Sequence, residues 1–404
     1  MADRIVIAGA GVAGLTAALS LAAKGSVVTI FERAAHLQEV GAGLQLSPNA
    51  TRILRSLGVL EHLERDAVQP QAIVLKDAAT LASLARVPLG ASAERRWGAP
   101  YLVTHRADLQ HALLQRICEC PAITLITGAE VLGAQFDSGR VAVKIRHDGV
   151  ERQEFCRFLV GADGVWSRLR SIAGAKESRF SGFVAYRAVL HLGAAGHPAE
   201  SDIVSRDTVT AFLSPRFHLV AYPLRGGAEI NLVAITRGPD MGRRWADDAD
   251  MALLAAATAA AAPALSALIA QAGRWTAWPL HEAEPSMRWV HPGGLVLIGD
   301  AAHALTPYAA QGAAMAIEDA ALLAQLTPGT TDIGPALVLF EEVRRSRLAR
   351  VARRGDFNRF VWHARGPVAL ARNLVLRWRS EERLAADLDW LYGYDAAAAA
   401  RPEG

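Results

Sequence analysis

The chain has 404 residues, long enough for more than one domain, and 51% of them are hydrophobic, enough to bury a large core. Its formal net charge is +3, too mild to point to nucleic acid. Cys118, Cys120 and Cys156 supply neither a disulfide framework nor metal-ligand spacing, which fits a reducing cytoplasm; the first two read as ordinary helix and loop residues ahead of a redox pair.

Two stretches imitate membrane segments. Residues 5–23 are almost uncharged and close to spanning length. Gly9, Gly11 and Gly14 fall at turn spacing inside them, and no basic n-region precedes them. Residues 251–270 are mainly Ala and are split by Pro263, so they read as two amphipathic surface helices.

In chain order, residues 5–8 form a short apolar strand. Gly9-Ala10-Gly11-Val12-Ala13-Gly14 follows, then a helical run over 15–23 and a second strand over 27–31 ending in Glu32-Arg33. This is a βαβ unit with a dinucleotide fingerprint. Gly9 permits the tight turn, and Gly11 lets a pyrophosphate reach the helix N-terminus, where free N–H groups and the helix dipole favour anions. Gly14 lets helix and strand pack closely, and Glu32 stands where a carboxylate accepts from an adenosine ribose. The fingerprint serves NAD, NADP and FAD alike.

A second motif, Gly161-Ala-Asp163-Gly164-Val-Trp-Ser167-Arg168-Leu-Arg170, follows an expected strand over 157–160. Strands are expected over 72–76, 84–87, 124–126, 183–190, 209–213, 217–223 and 229–235, many with alternating polarity. They suggest a mixed sheet roofing a small pocket. On the 217–223 strand, His218 and Tyr222 share one face because side chains repeat every second residue. A third motif, Gly299-Asp300-Ala-Ala-His303 through Pro307 to Gly312, follows a buried strand over 294–298 and opens a long Ala-rich helix. From Glu341 onward the pattern is helical and rich in Arg, including Arg344, Arg345, Arg347, Arg350, Arg353 and Arg354. A solvated helix face with local acid partners is expected there, ahead of an anion- or membrane-binding run. The aromatics Trp390, Tyr392 and Tyr394 are expected to dock the tail, and residues 396–404 to fray.

The three motifs, in this order and spread over about residues 4–320, resemble the signatures of the class A flavoprotein monooxygenases, the p-hydroxybenzoate hydroxylase type. The resemblance implies an α/β fold: a Rossmann-like FAD-binding domain (GR2 type) with an interleaved mixed β-sheet substrate domain and a C-terminal helical region. The expected boundaries are 1–70, 98–177 and 278–330 for the first, 71–97 and 178–277 for the second, and 331–404 for the third. FAD is the implied cofactor, with NADH or NADPH as transient co-substrate and O2. No residue is assigned to a metal. In that family the residue matching Asp300 hydrogen-bonds the ribityl chain, the segment through Pro307 passes the isoalloxazine ring, and the helix from Gly312 aims its N-terminus at the pyrimidine. Reduced flavin is negative there, and a helix N-terminus stabilises an anion. Ala313, Ala314 and Met315 are expected to offer backbone N–H groups to it. Where the family usually has Pro after the His, this chain has Ala304, which is expected to loosen the loop.

The resemblance also implies that Asp163 touches the FAD indirectly and borders the nicotinamide path. Arg106 in Thr104-His105-Arg106 is matched to an Arg at the FAD phosphates or ribityl; the plainer reading is a solvated helix cap. Gly43 and Leu44, in the run from Gly41 to Ala50, resemble the loop beside the ring, Ala13 and Arg33 belong with the fingerprint, and Val131 faces the adenine. His218 and Tyr222 resemble the substrate-site pair of the salicylate, 3-hydroxybenzoate and 6-hydroxynicotinate hydroxylase subgroup. There the reduced flavin and oxygen form a C4a-hydroperoxide that attacks a phenolate, so a His of near-neutral pKa helps remove the phenol proton and a Tyr orients the oxygen. Tyr308, Gln45 and Arg187 complete the candidate pocket, with Tyr101 beside them; Arg187 is read as a contact for flavin or a substrate carboxylate. Gln45 and Tyr308 stand where hydroxynicotinate hydroxylases carry His, which favours a hydroxybenzoate. An N-heterocycle or larger natural product, and a flavin protein that transfers electrons or senses redox state without hydroxylating, stay open, as does a homodimer.

Overall fold

The two largest sheets share one continuous hydrophobic core, and a second core lies on the far face of the larger sheet. The computed structural model describes residues 4–37, 43–137, 139–192, 203–243 and 246–400. Gly41 and Ala42 of the expected ring-side loop, and residues 401–404 of the expected frayed end, lie outside them. Ala396 is fully buried and Ala398–Ala400 form a 3-10 turn, so order runs further along the tail than expected.

The first sheet has the strand order Val290–His291, Leu295–Leu297, Leu159–Gly161, Arg4–Ala8, Val27–Phe31, Ile123–Ile126. All pairs are parallel except the first. Helices cover it, which is why its strands read as unbroken apolar runs. The helices Val12–Ala22 and Gly312–Leu326 pack on each other, and Arg106–Cys118 packs beside the first. The strand expected over 157–160 begins later, at Leu159: Arg157 instead turns its guanidinium to the carbonyl of Thr327 at 3.1 Å. A three-stranded antiparallel sheet, Ala129–Asp137, Arg140–His147 and Val150–Cys156, lies beyond the sequence reading. Its signal was the alternation that buries Val141, Val143 and Ile145.

The second sheet has eight strands in the order Asp247–Asp248, Thr276–Glu282, Arg179–His191, Glu229–Arg237, Phe217–Leu224, Thr208–Leu213, Ala72–Asp77, Ser83–Pro88. Only the pair Thr208–Leu213 with Ala72–Asp77 is parallel. Thr276–Glu282 crosses the expected 277/278 boundary and joins this sheet along its length. One face, carrying Val184, Tyr186, Leu219, Leu232 and Ala234, packs under the helices Met251–Thr258 and Pro263–Gln271 through Leu254, Leu265, Leu268 and Ile269. Each such buried aliphatic side chain contributes about 1.5–3 kcal/mol. The opposite face carries Ala185, Tyr222, Val233 and Ile235 into the core shared with the first sheet.

The long helix Ile333–Trp362 and the helix Gly366–Trp378 follow. Trp362 and Leu376 lie over Leu84, Ala211 and Leu213, so the C-terminal region covers part of that second face. Among the described residues, no helix is long and apolar enough to cross a membrane, and no group of three His, Cys, Asp or Glu side chains is placed to hold a metal.

Candidate active site

A cleft of about 290 Å³ opens where the first strand meets its helix. The loop 8–11, the strand end at Phe31 to Ala34, Val131 and the 162–164 turn line it. The glycines divide their tasks by geometry. Gly9 has φ +105, and a Cβ there would lie 2.5 Å from the Ala162 carbonyl oxygen; a Cβ on Gly14 would lie 2.0 Å from the Gly9 oxygen. Both are forced by packing. Gly11, the N-cap of Val12–Ala22, meets nothing within 4 Å. Its openness faces the cleft, where the helix N-terminus presents unpaired donors. Glu32 accepts from Ala10 N and Ala34 N, both at 2.8 Å, which fixes its carboxylate at the wall; Arg33 is exposed at the rim.

Asp163 lies in the same cleft. Its Oδ2 accepts from Arg168 N at 2.9 Å, while its buried Oδ1 has no partner among the described residues. Arg170, seven residues on, is buried and donates from Nε to the Ala301 carbonyl at 2.7 Å and from Nη2 to the Asp300 carbonyl. The second motif thus clamps the third. The first joins as well: a Cβ on Gly299 would meet the Ala13 methyl at 2.9 Å. Asp300 opens the short helix Asp300–His303 with its carboxylate exposed. Ala304 has φ −47, a proline-compatible angle, and its carbonyl accepts from Ala283 N at 3.1 Å. That pins the loop expected to be loose.

Gln311 caps the helix Gly312–Leu326, where Gly312 meets nothing within 4 Å of a Cβ and Ala313 is half-buried. Ala314 and Met315 are fully buried. The expectation for Met315 is corrected: its N–H donates to the Gln311 carbonyl at 2.8 Å, the first bond inside the helix, so it is not on offer. Pro307 starts a 3-10 turn ending at Ala309, and Ala310 after it is left-handed at φ +51.

The candidate substrate face is made by strand register. The rows Ala185–Ile235–His218, Arg187–Val233–Val220 and Val189–Asn231–Tyr222 run across three strands and share one face. His218 and Tyr222 are about 13 Å apart along their strand, so they form two ends of this face. At one end Tyr222 lies against Gly43, where a Cβ would come within 2.6 Å of its ring, and Asn231 Oδ1 accepts from Gly43 N at 2.9 Å. Arg187, in the middle row, is half-buried, with its guanidinium 5.2 Å from the Trp278 ring centre and Nε unpartnered among the described residues. Burial pulls its pKa down to about 10, with Tyr222 opposing and Arg106 adding, so it stays a cation at neutral pH. Arg106 starts the helix Arg106–Cys118 near enough to act on it. Gln45 accepts from the Tyr101 hydroxyl at 2.6 Å, and Leu44 precedes it on the short strand Gly43–Leu46. At the other end His218 is 1% exposed, with the rings of Tyr308 and Trp362 each 5.0 Å away and His363 Nε2 3.3 Å from its Nδ1. Burial, then His363, hold His218 well below the usual histidine range. The expectation of a near-neutral pKa is corrected: burial favours the uncharged imidazole and disfavours keeping an added proton on it.

A family described as "FAD binding domain" matches residues 3–327. The chain is 36% identical to 3-hydroxybenzoate 6-hydroxylase 1 of Aquipseudomonas alcaligenes, covering 97% of this chain and 98% of that one. It is 33% identical to 6-hydroxynicotinate 3-monooxygenase of Bordetella bronchiseptica, covering 99% and 97%. The chain belongs to the class A FAD-dependent monooxygenases. The solved structure of a salicylate hydroxylase with its substrate superposes with TM-score 0.81 at 25% identity, over 99% of the monooxygenase and 97% of that chain. The monooxygenase uses FAD, with NAD(P)H and O2 as co-substrates. Its residues fit the cofactor: the cleft, the open faces of Gly11 and Gly312 and the orphan Asp163 Oδ1 are what an elongated, anionic, hydrogen-bonding molecule would occupy.

Behind the helix Gly312–Leu326 the monooxygenase holds a buried ion cluster absent from the sequence reading. Arg344 donates to Glu318 and Asp319, each at 2.6 Å, and Arg347 donates to Glu318 at 2.9 Å; all four side chains are buried. Asn49 Nδ2 reaches Glu318 at 2.7 Å, and His303 Nε2 lies 2.6 Å from Asp319. Burial works to raise the Asp319 pKa, but His303 and Arg344 bring it down to about 2. This overturns the solvated face expected for Arg344 and Arg347. Arg347 also donates to the carbonyls of Trp390 and Leu391, and Tyr392 packs edge-on against Trp97 at 5.0 Å, which docks the tail. His363, Trp362, Asn231, Trp278 and Arg170 were likewise missed. Only Arg170 had a local signal, its place in the second motif.

Proposed function

We propose that this monooxygenase hydroxylates a small phenolic aromatic acid of the salicylate or hydroxybenzoate type. The observation that carries the reading is the shared sheet face on which a cation, Arg187, and an uncharged imidazole, His218, stand apart, in neighbouring rows with one strand between theirs. Arg187 takes the carboxylate, since a guanidinium meets it with paired donors. Tyr222 orients the ring from the same end. His218 accepts the phenol proton, and Tyr308 offers its buried hydroxyl, unpartnered among the described residues, to the resulting oxyanion. Bound and reduced, FAD supplies oxygen in electrophilic form. The walls of Trp278, Phe183 and Trp362 keep water away.

In this reading the adenosine end is held by Glu32 and Val131, with Arg33 at the rim, and the pyrophosphate by Gly11 and the helix behind it. Gly9, Ala13 and Gly14 shape that turn. Arg106, Asp163 and Asp300 face the middle of the cofactor, and Pro307, Gly312, Ala313, Ala314, Gly43 and Leu44 its ring, with Gln45 setting the rim beside Tyr101. We assign the eight-stranded sheet to the substrate side and the six-stranded sheet to FAD, and we place the enzyme in the cytoplasm, as a homodimer. An N-heterocyclic acid such as 6-hydroxynicotinate is the second reading, because it offers the same two poles and is named in the Bordetella relative.

The test is a panel of salicylate, 3-hydroxybenzoate, 4-hydroxybenzoate and 6-hydroxynicotinate with purified holoenzyme, NADH or NADPH and O2. One acid should gain an oxygen atom in step with nicotinamide oxidation. His218→Ala should cut that rate by roughly 10²–10⁴ with FAD retained. Nicotinamide oxidation unstimulated by every acid would remove the reading.

A further inference from the structure

His363 has no place in any of the three nucleotide motifs, and it ends a C-terminal helix far along the chain from the pocket strands. Nevertheless its Nε2 lies 3.3 Å from Nδ1 of His218. Its ring stacks near Phe183, with centroids 6.5 Å apart and planes 20° from parallel, and stands edge-on to Tyr308 at 5.9 Å. Phe183 and Tyr308 in turn meet edge-on at 6.0 Å. His218, Tyr308 and His363 therefore form one aromatic cluster at one end of the pocket face. They differ in access: His218 is sealed, the Tyr308 hydroxyl is buried without a partner among the described residues, and His363 is half-exposed.

We propose that His363 is a positioning residue for His218 and the outlet of a two-imidazole proton relay from the substrate hydroxyl to solvent. The inference rests on the phenolic substrate proposed above. With the resting proton on His218 Nδ1, donated to His363 Nε2, His218 presents Nε2 as a lone-pair acceptor. The substrate O–H bond breaks as an N–H bond forms at His218 Nε2. The Nδ1 proton then passes to His363 Nε2, and the His363 Nδ1 proton leaves to water. One proton enters, one leaves, and no charge remains on either ring. A buried His218 alone would have to keep the proton as an imidazolium inside an apolar wall, which burial opposes.

The surroundings favour passage over storage. The charged groups facing His363 are Arg359 on its own helix, Arg237 from the neighbouring sheet and Arg365 after the helix end; together with burial, which acts most, they bring its pKa down to about 4. Tyr308 is the titratable group beside both rings, and burial raises its pKa above the usual phenol range, so it stays a hydroxyl. Nothing acidic is among the groups that act on either imidazole, so neither has a counter-ion that would trap a proton.

Two variants separate relay from packing. His363→Gln places an amide near the Nε2 position, so it can accept from His218 Nδ1 yet cannot pass a proton. His363→Ala leaves space for added imidazole. The first readout needs no turnover: with oxidised holoenzyme and the acid found by the panel, stopped-flow absorbance after a pH jump follows phenolate formation in the pocket. The second is kcat against pH. In His363→Gln we expect KM within about twofold and both phenolate formation and kcat at neutral pH lowered roughly tenfold or more. The deficit should shrink once pH exceeds the substrate's own phenol pKa, and imidazole should restore His363→Ala. Wild-type phenolate kinetics in His363→Gln, or a loss equal at every pH and unmoved by imidazole, would overturn the relay. If wild-type enzyme hydroxylates no phenolic acid, it is the proposed function that has failed; if it does and the variant is normal, only the relay has.

Discussion

The nucleotide cleft and the pocket face are built in opposite ways. The cleft is made largely of backbone: tightly packed glycines beside an open one, a helix N-terminus and turns, brought together by short chain segments. The pocket face is made of side chains from strands that are neighbours only through pairing, Arg187 beside Val233 beside Val220, with His363 arriving from the C-terminal helix. A backbone site is written in residue spacing. A side-chain site is written in register, which spacing does not show.

The sharpest way to break the contrast is to attack what holds the two together. Arg344 is the shared cation of two buried carboxylates on the helix Gly312–Leu326. Arg344→Met leaves Arg347 as the cation on Glu318 and His303 beside Asp319. Removing one partner of such a buried set costs about 3–5 kcal/mol. Denaturant unfolding should show that loss, and a midpoint unchanged from wild type would mean the cluster is not a strut between the helices.

The glycines sharpen the comparison inside the cleft. Gly14→Ala forces a methyl onto the Gly9 carbonyl and should destabilise even FAD-free protein by about 1–3 kcal/mol. Gly11→Ala points into open space, so its apoprotein should melt like wild type while FAD affinity drops about tenfold, roughly 1.4 kcal/mol. Paired melting and FAD titration check both. Equal effects of the two would mean that Gly11 serves packing too.

Acid should act on the pocket end first. His363, at about 4 when folded against 6.5 for free histidine, gains its proton earlier in the unfolded chain. His218 is shifted the same way. The unfolded state therefore binds more protons between about pH 6.5 and 4, and stability falls as pH drops through that window. Asp319, lowered from 3.8 to about 2, adds a second loss over that lower interval. Tm measured against pH should show both steps. His363→Gln should shrink only the upper one; an unchanged upper step would mean that folding does not hold His363 uncharged.

The same division explains what the sequence disclosed. The three motifs, their strands and the Gly312 helix were legible because each is local. The faces of His218 and Tyr222 were legible from period-2 alternation. Asn231, Trp278 and His363 were not, since nothing in their flanking residues marks which strand or helix end they will meet. The Arg344 and Arg347 pair was misread because an Arg-rich helix normally faces solvent. Only the burial of Glu318 and Asp319, on a helix whose other residues are nearly all apolar, turns those cations inward. Met315 was misassigned by one helical position: the fourth amide after the cap is already bonded.

The central claim is that Arg187 and His218 read the two poles of one phenolic acid. The direct measurement is a binding cycle on oxidised holoenzyme, followed by flavin absorbance, with the preferred acid and its methyl ester against wild type and Arg187→Met. Wild type should bind the acid roughly 10–100-fold more tightly than the ester, and Arg187→Met should bind both alike and weakly, since a charge-assisted pair in a buried site is worth about 1.5–3 kcal/mol. A variant that still prefers the acid by the wild-type factor would contradict the claim and move the carboxylate to another cation.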